Sequence, residues 1–295
     1  MHSNGKKLQS SWPHERSWLD RLFWLGVMVS LGVLSSTASA QLVIVGGRTV
    51  PSVFAGEARP IEITLRNPTT QPVHADLRTR VYQTTTATAV QLYERPWKPL
   101  SVLPGQTVIE YAAFDFPAVK AATPFVVQWL EGTNKVIGTI EILAYPLDLL
   151  KALRPLAGEE PLGVFDPQNQ LKPLLKAASV DYQDLEDTGL EDHHGKLAII
   201  GPFQSKAQMP EEVGNKIKKM AAKGVAVVWM QPPPEKRQAL KPSFYTVLEG
   251  KGSVVVVQAD LIANLPEDPQ AQLNLIHFAR LALNTEPLRL PYLSP

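Results

Sequence analysis

Residues 224–231 read GVAVVWMQ, an uninterrupted apolar run that opens at a glycine and leaves through Pro232, Pro233 and Pro234. A valine-rich run of that length, flanked by helical periodicity, reads as a strand buried on both faces of a parallel sheet. In such sheets chemistry gathers just past the carboxyl ends of the strands. Here that position offers Met230, Gln231 and three prolines, with no nucleophile.

The chain on either side reads as support for this strand. Upstream, Pro210 opens a helix and Glu211 and Glu212 suit its positive end. Val213, Ile217, Met220 and Ala221 form its apolar stripe, and Lys223-Gly224 close it. Further back, LGVF at 162–165 is a first buried strand ending at Asp166-Pro167. Leu171, Leu174, Leu175 and Ala178 then fall on one helical face. Residues 180–185 form a peripheral second strand and KLAIIG at 196–201 a third. Downstream, GSVVVVQ at 252–258 is a fifth strand, and Asp268-Pro269 opens a closing helix that runs to Asn284. Strands and helices alternating this way predict a three-layer α/β domain over 162–284, a flavodoxin-like parallel sheet with helices on both faces.

Before Pro161 the periodicity changes. Residues 147–161 (LDLLKALRPLAGEEP) read as a short linker helix. Across 41–146 the period is two. Val73, Ala75, Leu77, Thr79 and Val81 alternate with His74, Asp76, Arg78, Arg80 and Tyr82, the pattern of a half-buried strand. Similar alternation at 61–65, 125–129 and 140–142, with turns at Asn67-Pro68, 103–105 and 131–134, predicts about seven short strands in an all-β sandwich. Residues 285–295 are read as a carboxyl-terminal tail.

At the amino terminus Lys6, Lys7, Arg16 and Arg21 precede the apolar LFWLGVMVSLGVL at 22–34, and the small residues SSTASA follow. This is the order of a secretory signal peptide over 1–40, with cleavage expected after Ala40 and a periplasmic or secreted product. The alternative is an uncleaved anchor, because extending the apolar core to Ala40 brings it within the range that spans a bilayer.

The formal charge of +1 and the ordinary apolar content suggest neither disorder nor a nucleic-acid partner, and Lys216, Lys218, Lys219 and Lys223 lack the interleaved aromatics that nucleic-acid binding calls for. With no cysteine, disulfides, thiolate metal sites and thiol nucleophiles are excluded together.

Two resemblances follow from these residues. IEITLRNP at 61–68 with LPGQTV at 103–108 resembles bacterial immunoglobulin-like accessory domains, which implies a fold and no activity. LGVFD, KLAIIGPF, AAKGVAVVWMQ and GKGSVVVVQ together resemble the class I glutamine amidotransferase-like superfamily, above all its non-amidotransferase branches. Catalytic members carry a cysteine in a Gly-x-Cys-x-Gly turn after the fourth strand. Residues 229–234 hold no cysteine, serine or glycine, so the resemblance implies a non-catalytic relative.

A ligand would meet the strand ends: Asp166 and Gln168, Phe203 and Gln204, Gln231, and Gln258 and Asp260. Asp166 equally reads as a turn residue ahead of Pro167, and Asp260 as a solvated loop group. Glu186, Asp187, Glu191, Asp192, His193 and His194 are the densest set of possible metal ligands. Their spacing matches no standard zinc or calcium site, and no metal or other cofactor is expected. Tyr93 and Trp97 beside Arg95 suggest either a stacking patch or half-buried core. His277 reads as a helix residue. The proline-led stretch 232–252 is long for a connection and is read as a lid or docking segment.

These readings favour an exported, non-enzymatic binding or scaffolding protein of the bacterial envelope. Its partner would be another envelope protein or a polar small molecule, and it would meet the membrane only if the signal segment is retained. The alternatives are a carboxylate-dependent hydrolase or polysaccharide-processing protein using Asp166 and Asp260, and a subunit of an envelope transport assembly.

Overall fold

The computed structural model describes residues 42–47, 49–132, 134–203, 205–232, 244–258 and 263–283. The expected signal peptide, its cleavage site and the carboxyl-terminal tail lie outside them. The described residues, all from Leu42 onward, belong to one compact unit. Among the described residues no helix is long and apolar enough to cross a membrane.

Eight strands come first: β1 (Val43–Val45), β2 (Ser52–Phe54), β3 (Ala58–Arg66), β4 (Val73–Thr84), β5 (Ala89–Val102), β6 (Thr107–Asp115), β7 (Thr123–Glu131) and β8 (Lys135–Tyr145). They make a three-stranded sheet, β1-β3-β6, and a five-stranded sheet, β2-β8-β7-β4-β5. The alternation along β4 buries Val73, Ala75, Leu77, Thr79 and Val81, as period-two patterning requires. These residues share one core with Ile61, Ile63, Leu65, Phe114, Phe125 and Trp129. Phe114 meets the Trp129 ring edge-on at 5.7 Å, a favoured aromatic geometry. The Asn67-Pro68 turn is fixed by a buried side chain. Asn67 Nδ2 donates to the carbonyls of Gln71 and Val102, and its Oδ1 accepts from the Thr69 amide.

After β8 a 3-10 turn (Leu149–Leu153) runs into the helical turn α1 (Arg154–Ala157). The second sheet system follows: β9 (Leu162–Phe165), α2 (Lys172–Ala177), β10 (Tyr182–Asp184), α3 (Leu185–Thr188), β11 (Leu197–Ile200), α4 (Val213–Ala222), β12 (Ala226–Gln231), β13 (Phe244–Glu249), β14 (Gly252–Gln258) and α5 (Pro269–Ala282). The strand order is β10-β9-β11-β12-β14-β13, parallel throughout except for β13. One face packs Val164, Ile199, Val228 and Val255 against Leu175 of α2 and Leu275 and Ala279 of α5, while the other packs Ala198, Val227 and Val254 against Ile217 and Met220 of α4.

The two sheet systems meet through a small apolar cluster. Phe54 of β2 and Leu143 and Tyr145 of β8 pack with Leu149 and with Leu273 of α5. Leu150 and Leu153, in the turn that follows β8, are buried in the core of the six-stranded sheet.

The expected fold, an immunoglobulin-like all-β sandwich followed by a three-layer, flavodoxin-like and amidotransferase-like parallel sheet, is corrected by these observations. The described residues form three sheets, mixed or antiparallel, with one curled as a half-barrel. In the first half β2 runs parallel to β8. There β4 and β5 reach 12 and 14 residues, with register shifts at Asp76/Arg78 and Val81/Tyr82, and such irregularities bend and twist a strand pair. In the second half Gly250 and Lys251 form a two-residue loop, so β13 reverses directly into β14 with no crossover helix. Gly250 has φ 61°, and a side chain there would come within 2.7 Å of the Ala222 backbone. The stretch read as one long connection therefore includes an edge strand.

Candidate functional site

Asp166 follows β9 directly and is 1% exposed. Its Oδ2 accepts from the backbone amides of Leu171 (2.6 Å) and Lys172 (3.0 Å), two of the groups that the start of α2 leaves unpaired. Its own amide donates to Glu186 Oε1 at 2.8 Å, and its carbonyl accepts from the amide of Asn169, which turns the chain at φ 51°. Oδ1 is buried and accepts from no group among the described residues.

Around this carboxylate lies a three-membered charge cluster. Lys172 Nζ lies 2.6 Å from Asp184 Oδ2 and 2.8 Å from Glu186 Oε1, with its side chain 12% exposed. Burial alone would lower the Lys172 pKa, but the hydrogen bonds to Asp184 and Glu186 hold it above the ordinary lysine value. For Asp184 burial pulls upward, and Lys172 together with the Glu186 amide holds the carboxyl below its usual range. Asp184 also caps α3 by accepting from the Glu186 amide. The sequence counts Glu186 among possible metal ligands in a stretch that reads as a solvated loop, and does not single out Lys172. The available signal is a lysine on the first turn of one helix and an Asp-Leu-Glu step where a strand passes into the next.

The other strand-end residues are dispersed. Gln168 accepts from Gln208 at 3.4 Å. Phe203 is fully buried and packs 6.3 Å from Phe165, within the core on the α4 face. Gln231 and Gln258 stand opposite one another at the carboxyl ends of β12 and β14. Gln204 and Asp260 lie outside the described residues. Asp166 and Gln168 thus belong to the β9 end, while Gln231 and Gln258 form a separate pair of half-buried amides.

The acidic and histidine-rich stretch is also divided. Glu191 reaches Lys219 at 3.0 Å. His193 turns inward and is 1% exposed, with Nδ1 2.9 Å from Gln183 Oε1 and Nε2 3.2 Å from the Leu197 carbonyl. Gly163 and Gly195 clear space for the ring, since a Cβ at either would come within 2.8 and 2.7 Å of it. Burial pushes the His193 pKa down, opposed by the bond to Leu197. Among the described residues no three His, Asp or Glu side chains converge as metal ligands. His277, on α5, has its pKa lowered by burial and then by Arg280.

On the first half, a cleft of 540 Å³ is lined by Leu92, Tyr93, Arg95, Asp115, Phe116 and Pro117. The Arg95 guanidinium sits 5.2 Å from the Tyr93 ring centroid and pairs with Asp115 at 3.3 Å. The Tyr93 hydroxyl donates to the Asp115 carbonyl. Trp97 stacks edge-on against Trp129 at 6.4 Å, so it is tied to the core and Tyr93 alone of the two lines the cleft.

No family model matches the chain, and no curated protein matches it. Among solved structures, the Pseudomonas fluorescens alkylpurine DNA glycosylase AlkC bound to abasic-site DNA overlaps 43% of this chain and 36% of its own, at 16% identity and a TM-score of 0.28. A Listeria innocua β-glucosidase in complex with gluconolactone overlaps 35% of this chain and 16% of its own, at 9% identity and a TM-score of 0.27. A PapD-like domain of human CEP192 overlaps 38% of this chain and 89% of its own, at 12% identity and a TM-score of 0.26. The chain spans about a third of the glycosylase and a sixth of the glucosidase. At these scores the overlaps carry no assignment.

Proposed function

We propose that this chain is an exported, non-enzymatic binding or scaffolding protein of the cell envelope. Export rests on the basic, apolar and small-residue order of residues 1–40. The observation that carries the non-enzymatic reading is the state of Asp166. A general base must reach the proton that it abstracts, and a side chain 1% exposed whose Oδ2 is occupied by two backbone amides is placed to cap a helix. The neighbouring lysine is likewise held by two carboxylates. Supporting the binding role are the cleft between Tyr93 and Phe116 and the paired amides of Gln231 and Gln258, which offer apolar surface and hydrogen-bonding groups.

The test is a turnover assay of the exported protein against glycan, ester and peptide substrates, with Asp166→Ala in parallel. No turnover above the uncatalysed rate is expected. Hydrolysis that Asp166→Ala abolishes, while the variant keeps its fold by circular dichroism, would overturn the reading in favour of a carboxylate-dependent hydrolase.

A further inference from the structure

Six strands form the edges of the three sheets, and five of them carry devices that discourage further pairing. β1, β2 and β10 are three residues long, β5 contains Arg95, Pro96, Lys98 and Pro99, and β6 carries Glu110 and Asp115. The sixth, β13, carries one charge, Glu249, at its loop end and has no such device from Phe244 to Leu248. Along it Phe244 is 40% exposed, Tyr245 48%, Val247 38% and Leu248 73%. Among the described residues it pairs only with β14.

The hairpin geometry says which backbone groups face outward. A two-residue loop with glycine first closes on a hydrogen-bonded pair, here Glu249 and Gly252. Pairs alternate from that point, so the N–H and C=O groups of Phe244, Thr246 and Leu248 point away from β14. These are strong hydrogen-bonding groups arrayed at strand spacing.

We infer that β13 is an interaction surface and that its occupant is a second copy of this chain, joined edge to edge in antiparallel register about a two-fold axis. Antiparallel self-pairing offers each outward N–H the outward C=O of the same strand in the other copy. The contact is isologous and closed, so it stops at two. Charge permits the approach. Residues Phe244–Leu248 bear none and the whole chain carries only +1, so neither local nor long-range repulsion opposes it.

The area decides how strong the pairing is. Taking roughly 150–250 Å² for a whole side chain of this size, the exposed fractions of Phe244, Tyr245, Val247 and Leu248 amount to about 300–500 Å² per copy. With the backbone edge, two copies cover about 1,000 Å², the lower limit of a specific interface. The dimer is therefore reversible, with a dissociation constant in the micromolar range or weaker.

The experiment is sedimentation velocity of the exported protein across roughly 1–200 μM, a span matched to an interface this small. Two variants accompany it: Thr246→Pro, which removes an outward N–H and leaves the bonds to β14, and Leu248→Lys, which adds a charge at the most exposed position. The weight-average sedimentation coefficient of the parent is expected to rise toward the dimer value, and both variants to remain monomeric with unchanged far-ultraviolet dichroism. If Thr246→Pro perturbs the fold, Leu248→Lys alone carries the test. A parent that stays monomeric throughout, or a dimer that Leu248→Lys leaves intact, overturns the inference.

Discussion

Truncating Phe54 tests whether the two sheet systems are one thermodynamic body. Phe54 is 1% exposed and sits where β2 and β8 meet Leu149 and Leu273. Phe54→Ala removes nearly a whole aromatic side chain from a site whose neighbours belong to both halves. Phenylalanine-to-alanine changes in cores cost about 3–5 kcal/mol, the transfer term plus that of an incompletely collapsed cavity. At about 1.4 kcal/mol per tenfold, protection of globally exchanging amides falls by roughly 10² to 4 × 10³. The assay is hydrogen exchange read by mass spectrometry on peptides covering β7 and β12, which lie in different halves. Equal loss of protection in both peptides is expected, because their cores unfold together through this joint. A drop confined to β7, with β12 unchanged, would refute the coupling and make Phe54 a local residue of the first half.

Four further outcomes follow from the site. Lys172→Met leaves the carboxylates of Asp184 and Glu186 facing one another without their cation. The cluster lies between a buried and an exposed ion pair, so a loss of about 1–3 kcal/mol is expected in urea unfolding at neutral pH. Because Lys172 holds the Asp184 pKa below its ordinary value, Asp184 contributes stability that is present above the unfolded carboxylate pKa. That contribution is lost as pH falls through the folded value, so the Lys172→Met difference should shrink in acid; a difference constant from neutral pH to acid would contradict it. His193 gives a second pH signal. Its folded pKa is lowered, so the unfolded chain binds more protons in the window below about 6.5 and stability falls as pH drops through that window. Thermal unfolding of His193→Gln should show a flatter slope there, and an unaltered slope would contradict this. His194 and Glu160 are the charged groups that act on His193, the first lowering its pKa and the second raising it, so neutralising Glu160 should steepen the parent's slope.

Individual elements were legible where burial imposed a period on the sequence. Val73 to Val81 alternates because one face of β4 is covered, and the run at 226–230 is apolar throughout because helices cover both faces of β12. The helix over 213–222 was marked by Val213, Ile217, Met220 and Ala221, all of them buried. β13 left no such mark. Its five outermost positions are exposed, so no apolar face alternates with a polar one, and the proline-led approach at 232–234 dominated the reading. The local mark of the reversal is Gly250, whose positive φ opens the two-residue loop. At the candidate site, Asp166 was legible as a residue at a strand end, but its commitment to Leu171 and Lys172 depends on where α2 starts. The grip of Asp184 and Glu186 on Lys172 depends on the pairing of β10 with β9, a contact that spacing along the chain does not encode. Phe54 as the joint was hidden for the same reason.

The most direct measurement compares Asp166→Ala and Asp166→Asn in equilibrium urea unfolding of the otherwise unchanged chain. If Asp166 serves as a buried helix cap, alanine costs about 2–4 kcal/mol for two charge-assisted bonds and two stranded amides, and asparagine, which keeps an accepting oxygen, restores at least half of that. An alanine variant as stable as the parent, accompanied by loss of a ligand or of turnover, would show that this carboxylate works on a substrate rather than on the fold.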